Sequence, residues 1–99
     1  MARAPKRPHE MEIYEAILLL RTPEECFKFF KDVCSDHEMR SMEQRYHVAK
    51  MLDEGRTYLD IQEETKASTA TISRVSRVFE DGTGVIDDIL SKIKREKKL

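Results

Sequence analysis

The chain has 99 residues, 37% of them charged, with 18 basic and 19 acidic side chains and a net charge of −1. That length holds one domain, which buries only about two thirds of its unfolded surface, a shortage that pairing with a second copy would relieve. A hydrophobic fraction of 39% argues against wholesale disorder. The longest apolar run, AILLL, falls far short of the roughly 18 residues that span a bilayer. The basic start MARAPKRP runs into acidic EMEIYE without a targeting pattern. The expectation is a cytoplasmic protein with no membrane partner.

Residues 1–8, with Arg3 ahead of Pro5 and Lys6 and Arg7 between Pro5 and Pro8, read as a flexible basic arm, and residues 9–99 as a single helical domain. From His9 to Arg21, Ile13, Ile17 and Leu20 recur at helical spacing, with Ala16 and Leu18 widening the stripe. Thr22-Pro23-Glu24-Glu25 predicts a helix start: Thr22 as N-cap, Pro23 at the first position and Glu25 closing a capping box. Cys26, Phe27, Phe29, Phe30, Val33 and Cys34 then leave little polar surface, so this second helix should be nearly surrounded. Cys26 and Cys34 would lie about 12 Å apart on one helix, too far for a disulfide, and read as reduced core thiols.

Ser35-Asp36-His37-Glu38 repeats the box and opens a longer third helix through Met39, Met42, Tyr46, Ala49 and Leu52, stopped by Gly55 as a left-handed cap. Thr57 caps a short helix carrying Leu59 and Ile61. A tight turn at Lys66-Ala67 leads to another helix, capped by Ser68 or Thr69, with Ile72, Val75 and Phe79 on its buried side and Gly82 and Gly84 after it. Val85, Ile86, Ile89, Leu90 and Ile93 form an amphipathic last helix that gives way to the basic tail KIKREKKL. The result is an all-α chain of six helices.

The two short helices over about 57–80 have the lengths and connection of a helix-turn-helix, whose second helix enters the DNA major groove. Lys66 through Phe79 carries Lys66, Arg74 and Arg77 and no acid, whereas the preceding helix holds Asp60, Glu63 and Glu64. A groove walled by phosphates repels carboxylates, which accounts for that division. Ser68, Thr69, Thr71 and Ser73 offer hydroxyls, the helix start offers N–H groups, and Ala70 or a Thr methyl suits a thymine methyl. The competing reading is an ordinary capped helix whose lack of acids is chance.

Lys66 to Arg74 resembles the Gly-Val-Ser-x-x-Thr-Ile-Ser-Arg segment of bacterial helix-turn-helix regulators, matching at Ser68, Thr71, Ile72, Ser73 and Arg74. Lys66 stands where that pattern has its turn glycine, and Gln62 where it has a small residue. Together with the six-helix order and the third-helix segment RYHVAKMLDEG, ATISR looks like the Trp repressor superfamily, in particular its YerC/YecD-type branch, over about Glu12 to Leu90. The resemblance implies an intertwined homodimer in which the first, second, third and last helices of both subunits interlock and two helix-turn-helix heads project to read an operator in double-stranded DNA. It also implies a corepressor site in which two arginines, matching Arg45 and Arg74, hold an amino acid. Val78 and Ser35 replace a serine and a threonine of that site, so tryptophan is a poor match as ligand and an unliganded regulator or another small molecule fits better. Read from the residues alone, Arg45 is equally a helix charge paired with Glu38 or Asp53.

Cys26, Cys34, His37 and His47 lack the spacing of a metal centre, and no nucleophile elbow, phosphate loop or acidic metal motif points to catalysis. No cofactor and no enzyme activity are expected. Two readings stay in view: a homodimeric DNA-binding transcription regulator acting as a repressor, and a helical protein-interaction module that binds no DNA, which the net charge of −1 favours.

Overall fold

The structure, a computed structural model, describes residues 10–97. Those residues form six helices: α1 (Glu12–Ile17), α2 (Pro23–Val33), α3 (Asp36–Asp53), α4 (Tyr58–Thr65), α5 (Thr69–Asp81) and α6 (Val85–Lys97), with no strand among them. The chain divides into two compact units, one running up to Met42 and the other from Glu43 onward. The expected basic arm and the expected helix start at His9 lie outside the described residues.

In the first unit, α1 is shorter than the stripe of Ile13, Ile17 and Leu20 predicts. After Ile17 the chain tightens into a turn, with Leu19 N–H bonding Ala16 O at 3.0 Å and Leu20 N–H bonding Ile17 O at 3.1 Å. The cause lies downstream. The residue before a proline is pushed out of the helical region, and Thr22 is extended at φ −129°, ψ 157°, so the helix must end early enough to turn. Leu18 consequently leaves the stripe and is 84% exposed.

Thr22 caps α2 through Oγ1, which accepts from Glu25 N–H at 3.1 Å. The return bond differs from a standard box: Glu25 Oε1 accepts from Arg21 N–H at 2.7 Å, one residue before the cap. At α3 the box is reciprocal, with Ser35 Oγ accepting from Glu38 N–H at 3.1 Å and Glu38 Oε1 accepting from Ser35 N–H at 2.7 Å. The Ser35 backbone N–H first, and then the Ser35 hydroxyl beside it, hold the Glu38 carboxyl below its ordinary pKa.

The expectation that α2 is nearly surrounded does not hold in the single chain, where no α2 residue is buried and Phe27 and Val33 are 52% and 55% exposed. Cys26 and Cys34 are free thiols, half-buried rather than core. Phe29 and Phe30 pack edge to face with centroids 5.3 Å apart.

The second unit holds the core. Val48, Ala49 and Met51 of α3 pack with Ile61 of α4, Ala67 of the turn and Ile72 and Val75 of α5, with Leu52 and Ile86 at the edge. The buried side of α3 is thus set by Val48 and Met51. Met42 and Tyr46, which the sequence places on the core stripe, are 39% and 40% exposed. Leu59 likewise faces outward, and only Ile61 of the pair is buried.

Gly55, at φ +81°, ends α3 in a Schellman turn, in which Arg56 N–H bonds Met51 O at 3.1 Å and Gly55 N–H bonds Leu52 O at 3.0 Å. In α6 it is Leu90 that is buried, with Ile86 and Ile93 half-buried and Val85 and Ile89 exposed. The helix continues through the basic segment to Lys97 rather than dissolving there, with Lys94, Arg95 and Lys97 in its last turn complementing the helix dipole. Lys94 reaches back to Asp53 of α3, and that carboxylate holds the ammonium above the usual lysine pKa.

Two outcomes follow. Ile61→Ala should lower unfolding free energy by about 2 to 5 kcal/mol in denaturant titration, the usual cost of truncating a fully buried isoleucine. A carboxylate with a depressed folded pKa adds stability above its unfolded pKa, ordinarily 4.5, and loses it as pH falls through the folded value. Glu38→Gln should therefore melt below the wild type at neutral pH, and the gap should close as pH drops below that value.

Candidate nucleic-acid interface

The candidate DNA-binding head is built from α4, a three-residue connection and α5. Thr57 Oγ1 accepts from Asp60 N–H at 3.1 Å and starts α4. The helix ends at Lys66, the one non-glycine residue of positive φ among those described, at φ 62°, ψ 16°. Its N–H still bonds Gln62 O at 2.9 Å, so the left-handed step closes α4 and turns the chain toward Ala67, which is 5% exposed and sits in the core. Ser68 is then the cap of α5, with Oγ accepting from Thr71 N–H at 3.1 Å. Of the two caps the sequence left open, the structure uses Ser68.

Burial of Ile72 and Val75 fixes which side of α5 looks outward. Thr69, Ser73 and Arg77 lie along one i, i+4 row and Ala70 and Arg74 along the next, and all five are exposed. Ser68 and Lys66 are exposed at the base of those rows, and Thr71 is half-buried. The Ser68 hydroxyl donates to Thr71 Oγ1 at 3.1 Å, which commits the Ser68 proton and leaves the Thr71 hydroxyl proton available. Like those at any helix start, the N–H groups of Thr69 and Ala70 have no intrahelical acceptor. The eight residues Lys66, Ser68, Thr69, Ala70, Thr71, Ser73, Arg74 and Arg77 therefore fall on one contiguous stretch from the turn along α5.

No acid lies in the first turn of α5, and the carboxylates Glu80 and Asp81 stand at its far end. On α4, Arg56 engages two of the three carboxylates, Asp60 at 3.6 Å and Glu64 at 3.8 Å. These exposed pairs add little stability, but they bring a cation up to the acids nearest the head. The sequence reading passed over Arg56. Its i, i+4 spacing to Asp60 was the signal available.

Arg45 is exposed on α3 and joins no ion pair among the described residues. Of the carboxylates suggested for it, Asp53 is held by Lys94 and Glu38 by Ser35. An open groove of about 330 Å³ lies between α3 and α5, lined by Leu52, Asp53, Ser76, Phe79 and Glu80. Neither Arg45 nor Arg74 lines it, and its two carboxylates oppose an anionic ligand. No group of three or more His, Cys, Asp or Glu side chains among the described residues is placed to hold a metal ion, and no described helix is long and apolar enough to cross a membrane.

The profile of the Trp repressor protein family matches residues 10–94. The chain belongs to the Trp repressor family. It is 46% identical over 83 residues to the uncharacterised protein YerC of Bacillus subtilis strain 168, covering 84% of this chain and 80% of YerC. Among solved structures it resembles a candidate Trp repressor from Staphylococcus aureus, at 46% identity and a TM-score of 0.81, covering 84% of this chain and 83% of that one. It also resembles a TrpR-like protein from Eubacterium eligens, at 48% identity and the same TM-score of 0.81, covering 84% and 86%. The all-α, six-helix Trp-repressor-like fold is thereby shown, and with it membership of a family of DNA-binding regulators.

In this family setting the left-handed Lys66 stands out energetically, because a side chain there costs on the order of 1 kcal/mol relative to glycine. Lys66→Gly is expected to raise the melting temperature by roughly 4 to 8 °C, the shift that 1 kcal/mol produces in a domain of this size. An unchanged or lower melting temperature would show that the turn stores no strain.

Proposed function

We propose that this protein is a homodimeric transcription regulator, a repressor, that reads a pseudo-palindromic operator with one α5 helix per half-site. The observation that carries the proposal is the acid-free, exposed double row from Thr69 to Arg77 at the end of a tight helix-turn-helix. In this reading Arg74 and Arg77 meet phosphate or guanine, Lys66 meets phosphate, and the small residues Ser68, Thr69, Ala70, Thr71 and Ser73 let the backbone approach the base edges. Half-sites lie about one helical turn, roughly 34 Å, apart.

Dimerisation is supported by the apolar surface of the first unit. Leu18 and Leu19 are 84% and 78% exposed, and Phe27 and Val33 are more than half exposed. So much exposed aliphatic and aromatic surface on so small a unit calls for cover, and a second copy supplies it in the way the family resemblance implies. Phe27→Glu should shift the protein toward monomer in sedimentation velocity.

The reading does not include tryptophan as corepressor. Val78 brings no hydroxyl to the recognition helix, and the groove beside α5 is lined by carboxylates. Any role of Arg45 and Arg74 in holding a small acid is decided by the same binding assay run with and without amino acids.

Selection from a random duplex library at physiological salt should enrich a two-fold-symmetric site. Arg74→Ala and Lys66→Ala should each weaken binding to it, and loss of one phosphate contact should reduce the slope of log K against log salt by about 0.9. Retention of full affinity in both variants would remove α5 as the reading element. Absence of any enriched site would favour the interaction-module reading.

A further inference from the structure

The head is tied to α3 by a bond that no sequence pattern announces. Gln44 Nε2 donates to Thr65 O at 2.9 Å, in partly buried surroundings, across 21 positions of chain. The capping hydrogen bonds described above span four residues or fewer. Thr65 is the last residue of α4, so its carbonyl is one of the four that a helix leaves without an intrahelical partner. A carbonyl only accepts, so the amide group of Gln44 must present its N–H side there, which fixes the amide orientation without ambiguity.

Thr65 carries the connection onward. Its hydroxyl donates to Ile61 O at 2.7 Å and accepts from Ala67 N–H at 3.2 Å. Ala67 immediately precedes Ser68, the cap of α5. A chain of two contacts therefore runs from the α3 side chain, through the end of α4, to Ala67 in the turn before α5, with a third contact back to Ile61. It spans the left-handed Lys66, the step at which the chain is most strained. Ile61, at the acceptor of the threonine hydroxyl, is fully buried, so one end of the chain is anchored in the core.

We propose that Gln44 is a positioning residue for sequence reading: its amide, acting through Thr65, sets the angle at which α5 leaves the turn, and so the register of Ala70, Ser73 and Arg74 on the bases. This inference rests on the DNA-reading role proposed above. Phosphate attraction depends on charge and tolerates small rotations of the head, whereas base contacts need side chains placed to within a fraction of an ångström. Disturbing Gln44 therefore removes selectivity and leaves non-specific attraction in place.

Two variants test it. Gln44→Glu keeps the shape but turns an acceptor toward an acceptor, and Gln44→Met keeps the length without a donor. Each is compared with wild type on the selected operator and on a scrambled duplex of equal length, with amide hydrogen exchange at Lys66 and Ala67 in the free protein. The expected result is an operator-to-scrambled affinity ratio about fivefold to tenfold lower, the cost of one lost hydrogen bond, with an unchanged salt slope on scrambled DNA and faster exchange at Ala67. An unchanged ratio in both variants, whatever the exchange, overturns the inference while leaving the DNA reading intact. A wild type that prefers no duplex overturns the DNA reading and this inference with it.

Discussion

Burial of Ile61 and Ile72 against Val48 and Met51 is the constraint on which the rest of the head depends. All four side chains are 2% exposed or less. An eight-residue helix such as α4 has little stability alone, since isolated helices shorter than about 12 to 15 residues are marginal in water. It persists because one isoleucine per short helix is seated on the same face of α3. Once Ile72 is seated, the helical period leaves no freedom: Ala70, Ser73 and Arg74 must look away from the core. Exposure of this face is thus a consequence of packing on the opposite side.

How much of this was legible in the chain depends on the range of the interaction. The caps at Thr22, Ser35, Thr57 and Ser68 bond within three residues, and all of them could be read from local spacing. So could the outward segment from Lys66 to Arg77, since hydroxyls, small residues and the absence of acids are visible in a row. The burial side of α3 was harder to read, because that helix carries two apolar stripes. Met42 and Tyr46 mark one, Val48 and Met51 the other; Met39 and Ala49 of the expected stripe are buried, and packing with α4 and α5 turns the core from Ala49 toward Val48 and Met51. The early end of α1 is written at Pro23, a proline whose effect reaches back into the helix before it. Gln44 left no sign, because a glutamine in a polar stretch reads as solvated surface until its partner 21 residues away is known.

Charge is laid out to match that packing. Two of the three acids of α4 are brought to Arg56, Asp53 is brought to Lys94, and the charged residues of the stretch that faces outward from the turn are all cations. A chain with a net charge of −1 can therefore carry a locally positive head. The value relevant to a polyanion is the field at the head and not the sum over the chain. The lysines and arginine at the end of α6 satisfy the dipole of their own helix.

The placement of Glu80 and Asp81 at the far end of α5 has a kinetic consequence. The helix start carries the positive partial charge of the backbone together with Lys66, while the helix end carries the negative partial charge together with two carboxylates. An element polarised in this way feels a torque as well as a pull near a line of phosphates. In the DNA-reading role proposed above, such a torque would turn the head start-first during approach, so that encounters begun in the wrong orientation would be corrected without dissociation and retrial.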